Sequence, residues 1–140
     1  WRQCSSLTSF PAINVSNGTD FTNSWMQCSG IITFPSLNFS SGTDFDRAWE
    51  NCSSLTTYPA NQFNTTGTLV SDAFVNAWRN CALTAQSIEN ILTSLDTNGA
   101  QNITLNISGG TNAAKTTWST AANTAYNNLI TKGWTILFNS

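Results

Sequence analysis

The sequence predicts an α/β solenoid of about three 24-residue coils, closed at its C-terminal end by a βαβ-type cap. The first reason is a spaced set of aromatic and cysteine residues. Trp1, Trp25 and Trp49 recur at 24-residue steps, and Cys4, Cys28 and Cys52, with Phe10-Pro11, Phe34-Pro35 and Tyr58-Pro59, keep the same step. A fourth unit begins at Trp78 with Cys81, displaced by a five-residue insertion between Pro59 and Phe74. Periods of this length mark stacks in which each unit buries its apolar side only against its neighbours. The second reason is that the period stops after Cys81 and ordinary helix and strand signals replace it, which divides one domain into coils (1–83) and a capping unit (84–140).

Each coil divides into three pieces. CSSLTSF, CSGIITF and CSSLTTY are β-leaning runs stopped by proline, which donates no ladder hydrogen bond. Next, AINV and SLNF alternate, placing Ile13 with Val15 and Leu37 with Phe39 on one face, whereas Ala60-Asn61-Gln62-Phe63 keeps only one apolar position and predicts a looser third coil. The third piece predicts a short helix capped by Thr19, Thr43 or Asp72, with Thr43 and Asp46 resembling a capping box. On that helix Phe21 and Trp25, Phe45 and Trp49, and Phe74 and Trp78 are four apart and share a face, which makes these tryptophans core rather than an aromatic cage.

The cysteines lack the two-to-four-residue spacing of metal ligands, and the chain has no histidine. One period apart in a stack means about 4.8 Å, so the four thiols are expected to form an internal ladder of free groups. At that distance cross-coil disulfides stay open.

The string F-x-x-(A/S)-W-x-x-C-(S/A)-x-(L/I)-x-x-F-P, carried by Phe21 to Phe34, Phe45 to Tyr58 and Phe74 to Cys81, resembles the bacterial surface-antigen (BspA-like) type of leucine-rich repeat. The resemblance implies a right-handed leucine-rich-repeat solenoid in which cysteine takes the ladder position that asparagine holds in other leucine-rich repeats. It also implies exposure on a bacterial cell or a phage virion, and adhesion or host recognition. The insertion at residues 64–72, the shortened FP strand and the missing N-terminal cap depart from the pattern.

Beyond Cys81, Thr84 caps an expected helix with an apolar stripe of Ile88, Ile91, Leu92 and Leu95, ended by Asp96-Thr97-Asn98-Gly99. Asn102 to Ile107 alternates as a strand and Gly109-Gly110 breaks it. A second helix, about Thr117 to Thr131, is expected to bury Ala122, Tyr126, Leu129 and Ile130 before Lys132-Gly133, and Trp134 to Phe138 forms the last strand. Strand, helix and strand continue a parallel sheet and shield the last coil. The resemblance extends to this region, whose SLDTNG, SGGTNAA and KGW strings look like the cap found with such repeats. GGTN matches no phosphate-binding motif and reads as a turn.

Function is narrowed first by exclusion. Only 9% of residues are charged, against roughly a quarter in ordinary soluble domains. Ser, Thr and Asn supply 56 of the 140 residues, so the polar surface is uncharged. Five scattered basic residues and a net charge of −2 make no patch for nucleic acid, and no apolar run is long enough for membrane insertion. Without histidine or convergent carboxylates no catalytic set of roles assembles, so no enzyme activity, metal or cofactor is expected.

A binding role remains. Stacking puts Thr8, Ile32 and Thr56 in one outward row, Ser9, Thr33 and Thr57 in a second, and Asn14 with Asn38 in a third. Such rows suit carbohydrate or a neutral protein on a cell surface, and make an extracellular, cell-surface or virion-surface module the expected function. A threonine row also suggests an ice-binding face, which Ile32 interrupts. The alternative is assembly, because the uncapped first coil invites stacking on another copy or on an upstream repeat domain. Trp1 falls on a repeat boundary, which predicts that the chain was cut from a longer one, and seven N-x-(S/T) strings are glycosylation acceptors only in a eukaryotic host.

Overall fold

Backbone hydrogen bonds join residues almost one repeat apart in the computed structural model, which describes residues 1–140. The N–H groups of Phe21, Asn23, Trp25 and Gln27 donate to the carbonyls of Asp44, Asp46, Ala48 and Glu50 at 2.8–3.0 Å. Those of Phe45, Trp49 and Asn51 donate in turn to Ala73, Ala77 and Arg79, and those of Trp78 and Asn80 to Asn106 and Ser108. Successive coils therefore lie on one another, and the β-strand β1 (Thr104–Ile107) is the next layer. Strand β2 (Thr135–Phe138) pairs with β1 in parallel, Thr104 facing Thr135 and Ile107 facing Phe138.

The segments after each glycine are chains of turns, not the expected helices. Asn23, Gln27, Arg47, Asn51 and Asn80 have φ between 53° and 62°, and a left-handed residue every few positions ends an α-helix. The donors follow a different scheme from a helix. In the first coil alternate N–H groups close i,i+3 turns, as in Ser24 to Phe21 and Met26 to Asn23, while the intervening ones reach the next coil. The predicted caps do other work. The Thr43 hydroxyl donates to Thr19 O, and the residues that accept from the turn N–H groups are instead Asp20, from Thr22 N, and Asp44, from Asp46 N. Phe21 and Trp25 nevertheless share a side, because a four-residue step in these turns returns to the same face, and their rings stack at 6.1 Å.

The core is built of aromatic columns. Trp1, Trp25, Trp49 and Trp78 stack at 5.7, 5.4 and 4.8 Å with planes within 7° of parallel. Phe10, Phe34 and Tyr58 form a second column, and Phe34 meets Trp25 and Trp49 nearly edge to face at 4.9 and 5.3 Å. Perpendicular contact of this kind sets a positive ring edge against a negative face. The indole N–H groups of Trp25, Trp49 and Trp78 are buried without a hydrogen-bond acceptor, so these rings contribute through stacking and area alone.

The cysteines are all unpaired. Cys28, Cys52 and Cys81 are buried, and each thiol donates to the carbonyl of a tryptophan in the preceding coil: Trp1, Trp25 and Trp49, at 3.0, 3.0 and 3.1 Å. Cys4 is exposed and stands outside this ladder. The next rung is an asparagine: the buried Asn112 amide donates to Trp78 O at 2.9 Å and to Ile107 O at 3.1 Å, and its oxygen accepts from Leu83 N at 2.8 Å.

Helix α1 (Ala85–Asn98) starts at Thr84, whose hydroxyl accepts from Ser87 N, and ends at Gly99 with φ 81°. Its apolar stripe is buried, and beside it runs a polar row that closes the edge of the third coil. Ser87 and Ser94 accept from Tyr58 N and Phe63 N, while Asn90 and Asn98 donate to Tyr58 O and Phe63 O. Helix α2 (Thr120–Thr131) starts later than Thr117, because a 3-10 turn at Lys115–Thr117 and the extended residues Trp118 and Ser119 precede it. On it Ala122 and Leu129 are buried, but Tyr126 is only half-buried and Ile130 is 43% exposed, so the apolar stripe is narrower than expected. Ile13 is likewise 37% exposed and does not join a core face with Val15. The third coil is tied rather than loose: Gln62 is buried and its amide both accepts from Leu37 N and donates to Leu37 O.

Candidate binding surface

Charge is segregated within the coils. Residues 5–17, 29–41 and 53–65 contain no Asp, Glu, Lys or Arg, and every charged side chain of residues 1–83 lies elsewhere, most of them in the turn segments. There Glu50 is buried between Arg47 and Arg79, at 3.7 and 3.2 Å. Hydrogen bonds from the Thr22 hydroxyl and N–H hold the Asp20 carboxyl below its usual range. The opposite strip is neutral over all three coils.

On that strip Ile31 and Leu55 point inward, as do Phe10, Phe34 and Tyr58, and the two residues between face out. Ser9 bridges Thr33 and Thr33 bridges Thr57 in parallel register, and all three are exposed. Beside them run Thr8, exposed; Ile32, 55% exposed; and Thr56, half-buried, whose hydroxyl donates to Ile32 O and whose carbonyl accepts from Thr84 N and Ser87 Oγ at the start of α1. Phe34 N donates to Thr57 O and Thr56 N to Ile32 O at 3.0 Å, which fixes these two backbones against each other. Asn14 and Asn38 are exposed; each oxygen accepts from the N–H two residues on, Ser16 or Ser40, at 3.0 Å. That bond fixes the turn and leaves the amide NH2 free to face a ligand. The structure thus brings the six positions of the two rows together as one two-wide patch, while Asn14 and Asn38 repeat the same local turn one coil apart.

The patch ends where α1 lies over the third coil, with Ser87 accepting from Tyr58 N and donating to Thr56 O. Sequence reasoning missed this polar row and the Asn112 rung. Its signal was the spacing of Ser87, Asn90, Ser94 and Asn98 on one side of the helix, beside the apolar stripe. A shallow cavity of about 570 Å³ opens between the insertion (Thr66, Gly67, Thr68) and the end of α1 (Asn98, Gly99, with Gln101), and none of the predicted binding residues lines it.

The side chains of the patch offer hydrogen bonding through hydroxyl and amide groups and dispersion through Ile32. No three His, Cys, Asp or Glu side chains gather as metal ligands. Burial pushes the Cys52 thiol up to about 12 and that of Cys81 well above its ordinary value, so both stay protonated near neutral pH and are poor nucleophiles. No helix is long and apolar enough to cross a membrane. No protein-family model, curated protein or solved structure matches this chain.

Proposed function

We propose that this chain is a non-catalytic binding module, a right-handed solenoid of the leucine-rich-repeat type, displayed on a cell or virion surface and docking through its neutral strip. The observation that carries the reading is the charge segregation: an uncharged face spanning all three coils, with Ser9, Thr33 and Thr57 held in register by backbone bridges. A preordered row loses little side-chain entropy on contact, and hydroxyl and amide groups match the donors and acceptors of a sugar without desolvating an ion. Ile32 at the centre supplies an apolar patch against a ring face or a methyl group. The ligand class is carbohydrate or a neutral protein surface.

A glycan array read with wild type and with Thr33→Arg tests this. Thr33 is exposed at the middle of the bridged row, so a long cation there blocks the patch without entering the core. Signal lost in Thr33→Arg and kept in Asp72→Asn, on the turn side, supports the reading; equal signal in both refutes it.

A second reading is favoured by the first coil. The carbonyls of Asp20, Thr22 and Ser24 accept no hydrogen bond, although their equivalents Asp44, Asp46 and Ala48 all do, and Trp1 is stacked on one face and 54% exposed. That edge is complementary to another coil, from a second copy or an upstream repeat domain. Light scattering across a concentration series, with Trp1→Asp as the control, tests it: a concentration-independent monomer sinks the self-assembly form of the reading.

A further inference from the structure

Away from the coils, three aromatic side chains from separate parts of the cap surround one ammonium group. Lys115 Nζ lies 3.5 Å from the centre of the Tyr126 ring, 5.0 Å from that of Phe138 and 6.0 Å from that of Trp118. The rings meet one another steeply, Tyr126 and Phe138 at 88°, Trp118 and Tyr126 at 64° and Trp118 and Phe138 at 58°, with centroids 5.5–6.0 Å apart. They form three walls of an open box with the cation inside.

The walls are fixed and the box is free of anions. Trp118 follows the 3-10 turn, and its indole N–H donates to Ala113 O at 3.3 Å; Tyr126 stands in the middle of α2, and Phe138 ends β2. Lys115 N donates to Asn139 O at 2.8 Å, which clips the lysine backbone to the residue after Phe138. Arg47, Arg79 and Lys132 each pair with a carboxylate, but Lys115 Nζ has neither a carboxylate nor any protein hydrogen bond.

A primary ammonium is strongly hydrated and makes three hydrogen bonds, none of which this box offers. Ring faces without a counter-ion suit a cation that has little hydration to lose, which is the chemistry of quaternary ammonium recognition. We propose that Trp118, Tyr126 and Phe138 form a receptor for a trimethylammonium group, with Lys115 as a tethered internal competitor that occupies the cage until the ligand displaces it. This site is independent of the neutral strip.

The ring resonances of Trp118, Tyr126 and Phe138, followed by NMR during titration with tetramethylammonium chloride against sodium chloride at equal ionic strength, test the proposal. If the lysine fills the cage about nine-tenths of the time, Lys115→Ala binds about tenfold more tightly than wild type, because the competent fraction rises to one. Lys115→Gln, which keeps the side-chain bulk, shifts affinity in the same direction and serves if the alanine variant is poorly folded. Adding Tyr126→Leu to either variant abolishes the response. Repeating the titration with choline and with phosphatidylcholine vesicles separates a free small ligand from a lipid headgroup, and a response to either supports the cage. A folded Lys115→Ala or Lys115→Gln protein whose three rings do not respond to tetramethylammonium overturns it. So does a response that survives Tyr126→Leu, or a wild type that binds as tightly as the lysine variants.

Discussion

Replacing Asn112 with alanine removes one side chain and strands three buried backbone groups. Leu83 N loses its acceptor, and Trp78 O and Ile107 O lose their donor, in a region where Trp78, Leu83 and Ile107 are at most 1% exposed. An unsatisfied buried polar group costs about 1–3 kcal/mol, and water that follows the deletion recovers part of it, so about 3–5 kcal/mol is expected. That is a large share of the roughly 5–15 kcal/mol that holds a domain together. Cys52→Ala is the matched control on the same ladder. It strands no backbone group, since Trp25 O keeps the bond it accepts from Cys28 N, and removes one weak thiol donor and leaves a small void, for about 1–2 kcal/mol. Asn112→Cys falls between, since a thiol replaces the donor to Trp78 O but not the acceptor for Leu83 N. The assay is equilibrium urea unfolding followed by tryptophan fluorescence, with far-UV circular dichroism alongside. Coincident transitions give the differences directly, whereas a smaller slope with separated transitions means that the helical cap detaches first. Asn112→Ala no more costly than Cys52→Ala would refute the role assigned to the amide.

Under native conditions an aromatic disulfide reagent modifies one of the four thiols, Cys4, and all four once the chain is unfolded; rapid reaction of more than one native thiol contradicts the buried ladder. Stability falls as alkali is added. Burial raises the folded pKa of Cys52 from 9.0 to about 12, so the unfolded chain releases its proton first, the contribution is complete below about pH 9 and it is lost progressively toward about pH 12. Melting temperatures measured under reducing conditions between those limits should decline, less steeply in Cys52→Ala, and an equal decline in the two proteins rejects the cause. Gly99→Ala and Gly110→Ala separate strain from collision. Both glycines have positive φ, but a Cβ on Gly99 meets open space while one on Gly110 runs into the backbone of Asn80 and Cys81. The first should cost about 1 kcal/mol and the second at least about 2–3 kcal/mol in the same urea assay, and equal costs argue against the close approach.

The stacking of coils was legible in the sequence because it depends on which side chains recur, and Trp25, Phe34 and Cys28 recur without ambiguity. The local backbone was not. Phe21 and Trp25 four residues apart fit a helix template as well as they fit a chain of turns, and what distinguishes the two is where the N–H groups go. In a stack, the carbonyls of Asp44, Asp46 and Ala48 stand ready opposite Phe21, Asn23 and Trp25, and pairing with them competes with the i−4 bonds of a helix. Asn23, Asn51 and Asn80 were the available signal, since asparagine is among the few residues that enter the left-handed region readily. The neutral rows lie outward because they fall in pairs between inward residues, as between Ile31 and Phe34 or Leu55 and Tyr58, yet the half-burial of Thr56 comes where the start of α1 meets its carbonyl, which a row pattern does not contain. The cage was invisible because Lys115, Trp118, Tyr126 and Phe138 converge only when α2 folds between β1 and β2.

The change of ladder residue from cysteine to asparagine follows from what each rung must join. Between like coils a rung adds one donor to the tryptophan carbonyl of the preceding layer, which already accepts from the N–H three residues on, and a thiol is small enough to sit buried while donating once. After the third coil the layers differ: one neighbour is the Trp78 turn, another the end of β1, and the chain at Leu83 is turning into α1. Three mismatched backbone groups then need two donors and an acceptor in one place, which the carboxamide of Asn112 supplies and a thiol does not. Gly109 and Gly110 bring Asn112 there by letting the backbone press against Asn80 and Cys81. The GGTN string is thus the joint between the repeating and non-repeating parts of the chain, and its glycines and asparagine are required together.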